Sequence, residues 1–249
     1  MKSDKASRGA QTLERGLALV DAVAHHPMTV QEMAEQVGLT RSTASRLVQA
    51  LVSRGFLIAA GGKMQLGPTL IKLGFAARAN VDLIDVAAPF LQALSDKTGL
   101  CSFLGRRDGD NSLHLHRNMG RQRVIVATPV GTRRALAETS LGKALMLDFG
   151  RDEWRKHFER AHIPFTEEVA AEMESRAVAG VVVHRGPPPD MIRAAAAPIR
   201  DATGAIVAAL SVATIAQYAD ESQLAELAPA VREAAANVSA ALGYQKPDA

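Results

Sequence analysis

Six polar side chains stand close together between residues 41 and 49: Arg41, Ser42, Thr43, Ser45, Arg46 and Gln49. Two guanidinium groups, three hydroxyls and an amide are the groups that bond phosphate oxygens and base edges of DNA. To act together they must share one helix face. The apolar residues between them permit that, because Ala44, Leu47, Val48, Leu51 and Val52 repeat at helical spacing and leave the polar set on the other side.

The flanking segments supply what such a helix needs. Val30, Met33, Ala34 and Val37 form a shorter apolar stripe, and Gly38-Leu39-Thr40 separates the two stripes with a residue that tolerates positive φ. Two helices joined this way, the second basic on its outer face, make a helix-turn-helix with a recognition helix. An ordinary helical hairpin with a solvated face is the competing reading. Upstream, Leu13, Leu17, Val20 and Ala24 predict a third helix closing a small core, stopped at His25-His26-Pro27. Downstream, Gly55 to Ile58, then Gly61-Gly62-Lys63, then Met64 to Pro68 read as strand, turn and strand. That hairpin predicts a wing with Lys63 at its tip, so the unit is a winged helix-turn-helix. Lys2, Lys5 and Arg8 precede it, as an arm on DNA or as a disordered tail.

The charge distribution agrees with this assignment. The net charge of 249 residues is only +3, yet residues 1–80 hold ten Lys/Arg against five Asp/Glu, and the remainder holds 19 against 21. The excess positive charge therefore coincides with the helix-turn-helix, where it attracts phosphates. An apolar content of 47% supports a sizeable core, and the length fits one or two domains. No apolar run is long enough for a membrane span, and the N-terminus has no secretory pattern, so a cytoplasmic protein is expected. Cys101 is the only cysteine, which excludes an intramolecular disulfide; its apolar surroundings read as a small buried hydrophobe.

Beyond residue 68 the pattern changes. Helices are predicted over 69–80, as a connector, and 83–97, with Gly99 as a C-cap. Short strands follow over 101–106, 113–117 and 123–128, then helices near 140–149, 152–161 and 167–179. Strands return over 181–184, 192–200 and 206–213, and a last helix carries Leu224, Leu227, Val231, Val238 and Leu242. This order describes an α+β domain with a mostly antiparallel sheet. Catalytic motifs fail on inspection. His114-x-His116 places two imidazoles on one strand face without a third ligand nearby. Gly142-Lys143 is similar to the end of a phosphate-binding loop, but Ala137 stands where that loop requires glycine. No Gly-x-Ser-x-Gly occurs. The chain reads as a binding protein rather than an enzyme, with no cofactor and no metal.

The segments GLTRSTASRLVQALVSRGFL, KMQLGPTLIKLG, TPVGTRRALAETSLGKALM, AAAAPIRDATGAIVAALSV and AAANVSAALG, in this order, resemble the IclR-type (isocitrate lyase regulator) transcription factors over nearly the whole length. The resemblance implies a winged helix-turn-helix over 1–68, a linker helix over 69–82, and a GAF/PAS-like effector-binding and oligomerisation domain over 83–249. It implies a homodimer or dimer of dimers, operator DNA as partner, and a small-molecule effector. Carried over by motif position, the effector pocket comprises Val124, Val126, Arg134, Ser140, Leu141, His184, Ile192, Ala194, Ser211 and Ala213, with either Arg133 or Arg134 facing inward. Ser140 has a second reading as a helix N-cap. Two departures fall on this region: Ala135-Leu136-Ala137 replaces a segment usually holding proline and often histidine, and residues 183–190 carry a proline run instead of an acidic pair with glycine. The expected function is a ligand-responsive transcriptional regulator, repressor or activator, switched by a small organic acid, aromatic acids included, or a related metabolite. The alternative is an architectural DNA-binding protein without an effector.

Overall fold

In the computed structural model, which describes residues 2–79, 82–122, 126, 128–186, 191–219 and 221–246, the chain divides into two compact units, residues 1–80 and 81–249.

The first unit runs α1 (Lys2–Ala22), α2 (Val30–Val37), α3 (Arg41–Ser53), β1 (Leu57–Ala60), β2 (Lys63–Leu66) and α4 (Pro68–Ala79). Each boundary has a local cause. Thr29 and Glu32 form a reciprocal capping box at the start of α2, and Gly38 ends it in the left-handed region at φ 68°. Thr40 caps α3 by accepting a bond from the Thr43 amide. Gly61 and Gly62 both have positive φ, the geometry of a two-residue hairpin turn that follows strand twist. Met28 and Met64 exchange backbone hydrogen bonds, which ties the hairpin to the loop between α1 and α2. At the root of α4, the Thr69 hydroxyl donates to the Arg54 carbonyl at 2.8 Å.

The core of this unit differs from the expected one along α1. Leu13 and Leu17 are exposed (64% and 55%), and Ala24 lies beyond the helix on the surface. Leu19, Ala22 and Val23 are the residues that pack on Met28, Met33, Ala34, Ala44, Val48 and Leu57. The helix was legible but its phase was not, because Leu19 and Val23 offer a second i, i+4 stripe rotated from Leu13 and Leu17. Helix α1 also begins at Lys2, so the backbone of the N-terminal basic segment is helical rather than a disordered tail.

The second unit runs α5 (Leu83–Thr98), β3 (Cys101–Asp108), β4 (Asn111–Asn118), β5 (Arg133–Ala135), α6 (Ser140–Ala144), α7 (Arg151–Arg160), α8 (Glu167–Ala179), β6 (Val182–Arg185), β7 (Ile192–Arg200), β8 (Ile206–Ile215) and α9 (Glu221–Ala241). Its six strands form one antiparallel sheet in the order β5-β4-β3-β8-β7-β6. Strand alternation sends Ala195, Ala197 and Ile199 toward α5 and α9, and Ala194 and Ala196 to the opposite face. Both faces are thus covered, which explains why β7 and β8 read as continuous small or apolar runs. On the second face Trp154, Phe158 and Met173 pack with Leu136, Leu141 and Met146; the Trp154 indole donates to the Met146 carbonyl at 2.7 Å.

Two sequence expectations change here, and a third is not tested. Strand β5 went unrecognised because it has three residues. The helix expected over 140–149 ends at Ala144 and continues as turns. The strand expected over 123–128 falls mostly outside the described residues, as do the prolines at 187–189.

Gly142 fixes the seat of α6. A Cβ there would lie 2.2 Å from the Leu136 carbonyl oxygen and 2.7 Å from its Cα, so its glycine serves helix packing. Gly142→Ala is expected to destabilise the full chain by about 1–3 kcal/mol through overpacking against backbone that cannot move aside cheaply. Urea denaturation checks this; an unchanged midpoint would show that the segment is looser than described.

Candidate DNA-reading face and effector cavity

The DNA-facing residues expected from sequence come together on one unit. Arg41, Ser42, Arg46 and Gln49 are exposed on α3, while Thr43 and Ser45 are half-buried at the edge of the same face. Thr40, Ser42 and Thr43 form a hydroxyl cluster, with Thr40 Oγ1 donating to Thr43 Oγ1 at 2.9 Å and lying 3.2 Å from Ser42 Oγ. Thr43 therefore has a structural bond besides any contact to DNA. Lys63 is exposed where β2 leaves the glycine turn. An exposed row of cations, hydroxyls and an amide on a helix anchored by buried Ala44 and Val48 can read a groove without unfolding anything, although Val52 of the expected apolar stripe is exposed.

In the second unit a cavity of about 290 Å³ opens on the sheet face that carries α6. Nine of the ten residues expected by motif position line it: Val126, Arg134, Ser140, Leu141, His184, Ile192, Ala194, Ser211 and Ala213. Val124 lies outside the described residues. The floor follows from strand register, since His184 on β6 stands beside Ala194 on β7, and Ala194 beside Ala213 on β8. One row along, Ser211 stands beside Phe103 of β3. Small side chains at these positions leave the space that makes the cavity. The roof is the first turn of α6. Its N-cap is Thr139, whose hydroxyl accepts from the Gly142 amide at 3.0 Å, so Ser140 is the first helical residue and is buried in the cavity wall.

The choice between the two arginines is settled by their partners. Arg133 is bonded to Asp108 at 2.6 Å and does not line the cavity; Arg134 lines it, bonded through Nε to Glu138 at 2.9 Å. Sequence reasoning missed Phe103, His114, Thr128, Glu138, Thr139 and Gly186, which also line the space. His114 reads from sequence as a surface or core histidine in preference to a metal ligand, and it is buried. Its ring stands edge-on to Phe103, with centroids 5.6 Å apart, and its Nδ1 is buried without a hydrogen-bond partner among the described residues. Burial, and then the nearby Arg134, hold its pKa below the usual imidazole value.

The opposite end of the cavity is more strongly perturbed. Burial pushes His184 down to about 4, and Lys143, Arg176 and Arg193 add repulsion. Burial likewise pushes the Lys143 ammonium down to about 8, with Arg176 adding to the shift and Glu172 opposing it. Arg176 bonds Glu172 and the Val183 carbonyl, the latter at 2.9 Å, so its charge is fixed beside β6. Small apolar walls with a few convergent polar groups suit a small molecule.

Comparison with known proteins agrees with both units. Residues 12–58 match the IclR helix-turn-helix domain, and residues 75–240 match the family described as bacterial transcriptional regulator IclR C-terminal. Over 94% of its length the chain is 26% identical to the HTH-type transcriptional regulator XynR of Escherichia coli, covering 98% of that protein. With the HTH-type transcriptional regulator BhcR of Paracoccus denitrificans it shares 30% identity over 96% of its length and 90% of the relative's. Among solved structures, Pseudomonas aeruginosa HmgR superimposes with a TM-score of 0.81 at 23% identity, over 94% of this chain and 99% of HmgR. The Agobacterium tumefaciens repressor BlcR gives 0.78 at 22%, over 95% and 98%. The family match spans well over half of the chain, which therefore belongs to the IclR family of bacterial transcriptional regulators.

Proposed function

We propose that this regulator reads a pseudo-palindromic operator as a homodimer or dimer of dimers in the cytoplasm, and that a small organic acid, aliphatic or aromatic, switches it from the cavity described above. Residues 1–68 hold the DNA-reading face, 69–82 form the linker, and 83–249 take the effector and join copies. The observation that carries this reading is the polar, apolar-floored cavity in a chain whose other unit presents a basic recognition face. An architectural DNA binder has no use for such a cavity. Effector binding acts only through its different affinity for two states of the dimer, so the acid shifts their populations rather than creating a new one.

Several consequences are measurable. Arg46→Ala is expected to weaken specific operator binding by about 1–3 kcal/mol, as a lost base contact does. Thr43→Ala should weaken it too, with part of the loss coming from its bond to Thr40. Lys63→Ala should weaken binding to all sequences and reduce the salt slope by about 1. Fluorescence anisotropy on the promoter region reads all three, and unchanged affinity for Arg46→Ala would remove α3 from the groove.

Self-association has its own motive. Leu13 and Leu17 on α1 and Ile71, Leu73 and Phe75 on α4 are large apolar residues exposed on one unit, Phe75 at 70%. A second copy covers such faces in a protein that reads two half-sites about 34 Å apart or a multiple of it. Light scattering at micromolar concentration should therefore exceed the monomer mass of 26.4 kDa, and a monomer would contradict the assignment.

Filling the cavity separates its role from that of DNA binding. Ala194→Phe places a ring on the floor and should abolish the response to effector while leaving operator affinity intact. Full response from the variant would place the effector elsewhere.

A further inference from the structure

Lys143 stands on α6 between Gly142 and Ala144, which are buried, and is itself half-buried without lining the cavity. Its ammonium lies 5.7 Å from the centre of the Phe158 ring and has no hydrogen bond and no ion pair among the described residues. The charges around it are mostly of its own sign. Arg176 of α8 repels it; Glu172 of the same helix attracts it but is already bonded to Arg176. His184 of β6 feels Lys143, Arg176 and Arg193 of β7 together, and Arg185 adds to the field at Arg176. Within this group one carboxylate stands against four cations. Arg176 also has a donor to spare: Nη2 bonds Glu172 and the Val183 carbonyl, whereas Nη1 meets only the Met173 sulfur, at 3.9 Å.

We propose that Lys143 is a site of reversible carbamate formation, its amine adding to the carbon of carbon dioxide. The nitrogen lone pair forms the N–C bond, one C–O π bond opens onto oxygen, and the carbamic acid gives its proton to water. The balance is R–NH2 + CO2 to R–NH–COO− + H+, with no oxidant or further reagent. Two features select this reagent among the electrophiles that acylate amines. Half-burial admits a linear triatomic molecule more readily than a thioester or an acyl phosphate. The product matters as much: an amide would leave the site neutral, whereas a carbamate is an anion among cations and can accept from Arg176 Nη1.

The amine is available near neutral pH because burial, with repulsion from Arg176, brings its pKa down to about 8. At about pH 7.5 its unprotonated fraction exceeds that of an ordinary lysine on the order of a hundredfold. The Phe158 face and Glu172 favour the ammonium and oppose the reaction. Occupancy rises with pH at fixed dissolved CO2, because the ammonium releases two protons on conversion and the free amine one. Exchanging a positive for a negative charge at Lys143 also removes a repulsion from His184, whose pKa should then rise above about 4.

The experiment equilibrates the full chain with isotopically labelled CO2 and bicarbonate at about pH 7.5. Carbon NMR reads the carbamate directly. In parallel, a trialkyloxonium salt converts carbamates to stable esters, which peptide mass mapping then locates. The expected result is a carbamate resonance apart from bicarbonate and dissolved CO2, with at least about tenfold more trapped ester at Lys143 than at any other lysine. Lys143→Arg keeps the positive charge and should remove that signal. Arg176→Gln should lower occupancy about threefold or more, since it raises the amine pKa and withdraws the donor together. Mapping of the unmodified chain locates the carbamate even where a variant fails to fold. The α-amine of the chain is the natural competitor, its ordinary pKa lying near about 8. Carbamate at the α-amine alone, an unchanged resonance in Lys143→Arg, undiminished occupancy in Arg176→Gln, or no carbamate at Lys143 under a CO2 atmosphere would each overturn the proposal.

Discussion

The effector unit depends on how closely the short helix α6 lies on the sheet. Two missing side chains and two small ones permit that approach. Gly142 rests against the Leu136 backbone, Gly105 admits Leu141 onto β3 where any Cβ would lie 2.4 Å from Leu141 Cδ2, and Ala196 and Ala209 keep the sheet surface low. With the helix seated, Ser140 and Leu141 become cavity walls, while Ala144 and Leu145 belong to the core formed with Trp154 and Phe158. One helix turn therefore touches both the ligand space and the packed interior. Because interiors are close-packed, pressure on its first turn is transmitted to its last rather than absorbed.

Much of this was legible because it is local. Caps, the turn glycine and two stripes of period 3.6 sufficed for α2 and α3, and the antiparallel strands of the C-terminal half followed from apolar runs between turn residues. Nine cavity residues were placed through family motifs, whose spacing encodes the strand register that brings His184, Ala194 and Ala213 into one row. What escaped is non-local. The stripe expected on α1, Leu13 and Leu17, is the wrong one, since Leu19 and Val23 fit a helix equally and only packing on Met33 and Ala44 decides. Sequence could not choose between Arg133 and Arg134, because Asp108 and Glu138 make the difference. His114 and Phe103 come from neighbouring strands aligned across an irregularity between Leu104 and Gly105. A one-residue change of register there reverses which side chains face inward.

The two units solve opposite electrostatic problems. Around α3 the cations are in water, where DNA can reach them and salt can screen them. Around β6 the cations are partly buried, and their repulsion is held in place by packing, by the Arg176 bonds to Glu172 and Val183, and by the Arg193 bond to the Gly186 carbonyl. Charge on the surface provides steering, whereas charge held beneath a cavity wall shifts the titration of His184, which lines it. The ion pair of Arg200 with Asp148, two bonds of 2.6 Å, links the far end of β7 to the segment after α6, so the strand that forms the floor and the helix that forms the roof are braced together.

Cys101 gives this arrangement a built-in clock. It is the single thiol of the chain, 2% exposed, packed with Phe103, Ala194 and Ala213, and its sulfur accepts a bond from the Gly120 amide at 3.2 Å. A thiol reagent reaches it only when β3 parts locally from its neighbours. Where reclosing outpaces modification, the labelling rate measures the equilibrium of that breathing motion rather than the rate of global unfolding. Any occupant of the adjacent cavity that binds only the closed sheet slows the clock in proportion to its occupancy, with no reporter group added to the protein.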